Sequence, residues 1–263
     1  MVTEMPKVDL DFQRYVERRK GAREAQAREG AAYAYGGDLR VLRTLDRLRP
    51  VRVSVEASVR MWNSQAREEI LGGATKVSPV QSPRLHAIAL HCAETLHIVA
   101  PTLYVAPQLA IGAAHTFGTN EEAYVVLSQA RIDGLTEPEL IHVIGHQLGH
   151  VQNNHVVYAT SLYYLTHFAS RFVKWAVTPA VMALSGWAKR GEITCDRAGL
   201  LCTRALDASE AALAKTHPED PSVHKRIEAL RLFAESAYYK GLTKQEGGTS
   251  TAECDAKVAE VIK

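Results

Sequence analysis

Apolar residues in the first third of the chain recur at helical spacing. Leu39, Val41, Leu42, Leu45 and Leu48 mark an amphipathic helix over 38–49 that stops at Pro50. A second helix is predicted over 53–71, closed by Gly72-Gly73. Ahead of both, Phe12, Tyr15 and Val16 form a small apolar cluster before a charged run ending at Gly30. Residues 1–75 therefore read as a helical extension that packs on or regulates the remainder of the chain. A Gly/Ser/Pro-rich link leads to Pro83. Leu85, Ile88, Ala89, Cys92 and Leu96 then share one face of a helix over 84–96. The period next changes from helical to alternating. Strands are predicted at Thr102–Ala106, Ala114–Gly118 and Ala123–Ser128, the last two joined as a hairpin by Gly118-Thr119-Asn120. They feed a helix from Glu137, whose apolar stripe is Leu140, Ile141, Ile144, Leu148 and Val151. Residues 156–187 are strongly apolar but interrupted by Arg171, Lys174 and Pro179, and no uncharged run reaches the roughly 18–20 residues of a membrane span. Two core helices, or one kinked helix, are expected there. Further helices are expected over 189–206 and 222–240. The tail over 241–263 reads as loose, with at most a short terminal helix. Strands feeding directly into a helix of this kind make a mostly helical α+β unit.

Composition narrows this little. The chain has 263 residues, 46% hydrophobic and 23% charged, with a net charge of +2, which fits a globular protein without a bias toward nucleic acid. The first residues lack the apolar core of a signal peptide. The four cysteines, Cys92, Cys195, Cys202 and Cys254, form no C-x-x-C, and Cys195 and Cys202 are spaced to share one buried helix face. They are read as free thiols of a reducing, cytoplasmic compartment. Tyr163, Tyr164, Phe168 and Trp175 leave peripheral membrane contact open, without a transmembrane segment.

The chemistry concentrates in the helix after Glu137. His146 and His150 lie one turn apart, so their rings leave the same side. This is the ligand half of the H-E-x-x-H zinc pattern, with Gln147 where glutamate belongs. A tetrahedral catalytic site needs a third protein ligand and an open position. A third histidine six residues after the second is absent: that position is Val156, and His155 falls one short. A glutamate on a later helix is the other solution. Glu192 in R-G-E-I-T-C-D fits, and Asp196, four residues on, lies on the same face to accept a hydrogen bond from a ligand histidine. The plainer reading pairs Glu192 with Arg190 or Lys189 at the surface. His86, His91 and His97 have no common ligand spacing and read as surface or packing residues.

The order A-A-H-T-F-G, then E-L-I-H-V-I-G-H-Q-L-G-H, then G-E-I-T-C-D-R-A-G-L-L resembles the HtpX-type and Oma-type zinc metalloproteases, peptidase family M forty-eight. The likeness covers roughly 83–230. It implies a gluzincin-type zincin: a small mixed sheet, a zinc helix, a following glutamate-bearing helix, and a metallopeptidase domain over 76–240. It also implies one zinc ion held by His146, His150 and Glu192, with Asp196 behind them. The implied activity is endopeptidase cleavage of protein or peptide substrates by a zinc-activated water. The strand Ala114, His115, Thr116, Phe117 and Gly118 matches the family's substrate-binding edge strand, although Ala113-Ala114 replaces its usual Asn-Ala start. The later His-Pro…Arg-Ile motif is blurred, since D-P-S-V-H-K-R-I has Asp220 for histidine and His217-Pro218 comes three residues early. His217, His224 and Arg226 all remain candidate transition-state donors.

Position 147 is the general base of such an enzyme. Glutamine has nearly the shape of glutamate but no useful basicity near neutral pH. Metal binding and substrate docking are expected to survive, and hydrolysis is expected to fall by at least the roughly 10²–10⁴-fold that general-base catalysis contributes. Gln147 is either an engineered replacement, which the intact ligand set favours, or the natural mark of a pseudoprotease acting as a zinc-containing peptide-binding or regulatory module. A latent zymogen is a third reading, with the N-terminal helices or a tail thiolate from Cys254 over the cleft.

Overall fold

The computed structural model describes residues 31–61, 71–107, 113–120, 122–167 and 171–263. The expected cluster at Phe12, Tyr15 and Val16, and Phe168, lie outside these. The elements, in chain order, are α1 (Gly36–Leu45), α2 (Arg49–Met61), β1 (Thr75–Lys76), α3 (Pro83–Thr95), β2 (Thr102–Ala106), β3 (Ala114–Gly118), β4 (Ala123–Ser128), α4 (Gln129–Ile132), α5 (Glu137–Gln152), α6 (Val156–His167), α7 (Arg171–Thr203), α8 (Leu206–Thr216), α9 (Val223–Ala234), α10 (Ala237–Leu242) and α11 (Thr251–Val261). This is a mostly helical α+β fold around one small mixed sheet, of the zincin kind.

The sheet order is β1-β2-β4-β3. β2 and β4 are parallel, and the outer pairs are antiparallel. β3 therefore forms an edge. Its hairpin with β4 turns at Gly118, whose φ of +120° and whose Cβ position, 2.2 Å from the Glu122 carbonyl, both require glycine. Val125 and Leu127 of β4 bury their side chains with Leu140, Ile144 and Leu148 of α5 in the main core, so the sheet backs directly on that helix.

α5 starts on a firm N-terminus. Thr136 N–H donates to Glu139 Oε2 at 2.8 Å, and Lys215 of α8 anchors the same carboxylate at 2.7 Å. Its tightest neighbour is α7. A Cβ on Gly145 would stand 2.8 Å from Cys202 Sγ, and one on Gly149 would stand 2.8 Å from the Ala198 Cβ. From the other side, a Cβ on Gly199 would meet His142 Nδ1 at 2.6 Å. Small residues on both helices thus let the histidine-bearing face of α5 and the Glu192–Asp196 stretch of α7 close on each other.

Several boundaries differ from the sequence-based expectation. Pro179 does not end a helix: α7 runs through it for 33 residues, merging the expected second apolar helix with the one placed over 189–206. Arg204, at φ +54°, and Ala205 separate it from α8. The helix expected over 222–240 breaks before Ser236, whose hydroxyl caps Tyr239 N–H. The tail is not loose. Ser250 and Glu253 form a capping box, and α11 buries Cys254 and Val258 in the main core. Tyr164 is buried and Tyr163 packs edge-on to Phe117, so these two form no outward-facing aromatic patch. Among the described residues, no helix is long and apolar enough to cross a membrane.

Candidate metal centre

α5 and α7 bring His146, His150 and Glu192 to one point. Glu192 Oε2 lies 3.5 Å from His146 Nε2, and its Oε1 lies 3.7 Å from His150 Nε2. Ligand atoms of a tetrahedral zinc, at about 2.0–2.1 Å from the ion, stand about 3.3–3.4 Å apart. Glu192 thus turns one oxygen toward each imidazole, close to that spacing, rather than toward Arg190 or Lys189. Burial, with His146 and His155 nearby, pushes the His150 imidazole well below its usual range, which keeps a lone pair available as a ligand requires. Cys195 Sγ also falls within 4.8 Å of nitrogens of both histidines. Burial, then Glu192, Asp38 and Asp196, push its thiol well up, and it faces His155 Nδ1 at 3.7 Å. Cys195 thus backs the site as a neutral thiol, whereas Glu192 opens onto the cleft.

Behind the histidines, Asp196 Oδ1 accepts from His146 Nδ1 at 2.9 Å. Arg226 of α9 grips the same carboxylate through Nε at 2.8 Å and Nη2 at 2.6 Å, and extends Nη1 to Glu192 Oε2 at 3.0 Å. Burial would raise the Asp196 pKa, but the Arg226 charge and these hydrogen bonds outweigh it and hold the carboxyl far below the usual range. The guanidinium is likewise held more firmly protonated than usual, because the two carboxylates outweigh its burial.

Gln147 sits between the two histidines and the sheet edge. Its Oε1 accepts from Thr116 Oγ1 at 2.8 Å, and its Nε2 reaches the Ala114 carbonyl at 3.5 Å. The Ala114 carbonyl and the Gly118 N–H, which donates to Thr160 Oγ1 at 3.0 Å, thus both point away from β4. By strand alternation, the Thr116 backbone groups between them point the same way.

A cleft of about 450 Å³ runs over the site, lined by Ala114, His115, Gln147 and Glu192 on one side and by Thr216, His217, Asp220 and Arg226 on the other. His217 reaches it, with Nδ1 at 2.9 Å from Thr216 Oγ1. His224 is exposed and does not line it. Asp220 is occupied in a turn, accepting from Ser222 N–H at 2.8 Å. Cys254 is buried against Arg197, away from the lining residues, which removes it as a metal ligand. No residue of 31–61 lines the cleft, and α1 and α2 pack instead on α7 and α6.

Two features escaped the sequence. His142, one turn before His146, lines the cleft with both ring nitrogens unpaired among the described residues. Its spacing was the available signal. The other is Asp38 of α1. It accepts from Trp187 Nε1 at 2.8 Å and Thr194 Oγ1 at 2.6 Å, and contacts His155 Nε2 at 3.1 Å, directly beneath the site. Nothing local marks it.

The sequence profile of Peptidase family M48 matches residues 79–234. That is more than half of the chain, and the protein belongs to this family of metallopeptidases. Among curated proteins, the chain is 29% identical over 175 residues to a plastoglobule-localized metallopeptidase 48, chloroplastic, of Arabidopsis thaliana, covering 65% of this chain and 51% of that protein. It is 30% identical over 102 residues to a protease HtpX homolog of Moorella thermoacetica, covering 39% of this chain and 34% of the relative. A protease HtpX homolog of Kineococcus radiotolerans is 32% identical over 96 residues, covering 36% and 33%. The chain thus spans about half or less of the length of these relatives. No solved structure matches it at a significant level.

Proposed function

We propose that the chain is a zinc-dependent endopeptidase domain whose hydrolytic step is silenced at Gln147. The observation that carries this is the approach of the Glu192 carboxylate, one oxygen to each, to Nε2 of His146 and of His150. A zinc ion held there would supply the Lewis acidity that activates water and polarises a peptide carbonyl. Asp196 holds the His146 ring by its Nδ1, directing Nε2 to the ion, and Arg226 holds Asp196. An extended protein or peptide substrate pairs with the outer edge of β3 (Ala114–Gly118), through the Thr116 backbone groups that lie between the Ala114 carbonyl held by Gln147 and the Gly118 N–H held by Thr160. Of the three donor candidates, His217 fits best. It lines the cleft, whereas the Arg226 fork is already shared by two carboxylates. Four unpaired buried thiols support a reducing, cytoplasmic setting.

Gln147 stands where such an enzyme takes a proton from the attacking water. Its amide cannot do this. The decisive experiment is Gln147→Glu, loaded with zinc and assayed on denatured protein and a peptide library. Hydrolysis should rise about 10²–10⁴-fold over the Gln147 form and vanish with a chelator. A zinc-loaded Gln147→Glu variant without activity would overturn the protease reading. One observation favours a natural peptide-binding module instead: both ends of the Gln147 amide are used, the oxygen by Thr116 and the nitrogen by the Ala114 carbonyl, which a carboxylate could not satisfy. The same variant decides between the two.

A further inference from the structure

The two sides of the metal centre differ in chemistry. Toward α8 and α9 the cleft is walled by His142, Thr216, His217, Asp220 and Lys225. Toward α6 and α7, a second cavity of about 290 Å³ opens beside the same ligands, sharing His115, His150, Ala188 and Glu192 with the cleft. Its further wall is Ala159, Leu162, Tyr163, His167 and Trp187. Tyr163 and His167 stack at 4.5 Å, and Tyr163 stands 5.8 Å from His115. The pocket is thus small-floored, mostly apolar and aromatic-walled, and it touches two of the three ligand residues.

We infer that this pocket is a specificity site that accepts a large aromatic side chain of a peptide, at the position next to the metal centre on the α6–α7 side. The inference rests on the peptidase reading of the centre. A peptide lying along β3 sends alternate side chains to opposite faces. A residue held beside Glu192 and His150 on this side meets the pocket mouth, which His115 of β3 itself lines. Aromatic walls favour a ring over an aliphatic chain, because ring pairs gain edge-to-face contact beyond the area they bury. A pocket that gains or loses one methylene discriminates by about 10–200-fold, so phenylalanine should exceed alanine by about 10²-fold or more. Ser185 and Ala159 limit the space, so enlarging either fills it.

The test uses the zinc-loaded Gln147 protein, which holds a ligand without cleaving it. Two pairs of peptide hydroxamates place phenylalanine or alanine beside the chelating group, on its amino or its carboxyl side, and their dissociation constants are measured by calorimetry. In one pair the phenylalanine probe should bind about 10²-fold tighter. Both Ser185→Trp and Ala159→Trp, each checked for an unchanged far-ultraviolet spectrum, should bring that ratio below about fivefold. Equal binding within both pairs, or a ratio that both variants leave intact, overturns the pocket and leaves the peptidase reading standing. If no hydroxamate binds the zinc-loaded protein, the pocket falls together with the metal-centre reading.

Discussion

Asp196 shows how a single carboxylate sets the behaviour of the side chains in front of it. It accepts from His146 Nδ1, so that ring turns its Nε2 toward Glu192, and it absorbs most of the Arg226 fork. The remaining arm of Arg226 already touches Glu192 at 3.0 Å. Replacing Asp196 by asparagine removes the charge that keeps both groups in place. The His146 tautomer is then no longer fixed, and Arg226, buried and without its main partner, moves its charge onto Glu192. We expect Asp196→Asn to weaken zinc binding by about 10–100-fold, measured by competition with a chelating dye. Affinity within twofold of the parent would reduce Asp196 to a packing residue. The pairing of His146 with His150 and of Glu192 with Asp196 was legible in the sequence, because each pair is spaced by one helical turn. His142 obeys the same spacing, but that signal alone is ambiguous, since a histidine one turn before His146 is compatible with either the core or the cleft. His217 and His224 could not be separated in sequence because the turn through Asp220 decides which of them faces inward.

At the level of elements, α1 is tied to α7 and to His155 more closely than a peripheral extension would be. Asp38 is fully buried and serves Trp187, Thr194 and His155 at once. Burial would raise its pKa, but the His155 contact and the hydrogen bonds outweigh that and keep it ionised. Neighbouring groups repeat the tie: Tyr35 N–H donates to Thr194 Oγ1 at 3.1 Å, and the Tyr33 carbonyl accepts from Arg197 at 3.1 Å. Arg197 continues to Asp255 of α11 at 2.7 Å, so the first and last described elements meet on α7. Truncating Asp38 leaves two buried donors and an imidazole without their acceptor. Asp38→Ala should lower stability by roughly 3 kcal/mol, and Asp38→Asn by less, because the amide oxygen keeps one bond. Urea unfolding of the metal-free protein measures this, and a loss below about 1 kcal/mol for Asp38→Ala would show that α1 is dispensable to the core. Such ties explain what the sequence hid. The three long strands and the start of α5 follow from local alternation and capping, and their bounds were readable. The Asp38 cluster, the packing of α11 and the passage of α7 through Pro179 depend on partners far along the chain, which no local window contains.

Across the whole molecule, the buried histidines make the metal-free fold sensitive to mild acid. Burial lowers the His115 pKa to about 4 against the opposing pull of Glu192, with His167 and His146 adding to the fall. Burial lowers that of His142 to about 3, where Asp196 opposes and His146, Arg226 and His217 reinforce. In the unfolded chain both titrate near their ordinary value of about 6.5. Below that value the unfolded state binds protons that the folded state refuses, so acid favours unfolding. Stability is therefore fully present above about pH 6.5 and falls as the pH is lowered toward 4, by roughly 1.4 kcal/mol per pH unit for each histidine. Asp38 and Asp196, both held below the ordinary carboxylate range, withdraw their share only at still lower pH. Urea titrations in the presence of a chelator at pH 7.5, 6.0 and 5.0 should show a midpoint that is nearly flat at first and then falls steeply. His142→Gln has no proton to bind, so it should flatten the lower part of the curve by about one proton's worth, even if it shifts the midpoint at pH 7.5. A slope unchanged by that substitution would mean that His142 titrates alike in both states, and that its ring, despite its burial, is open to protons through the cleft.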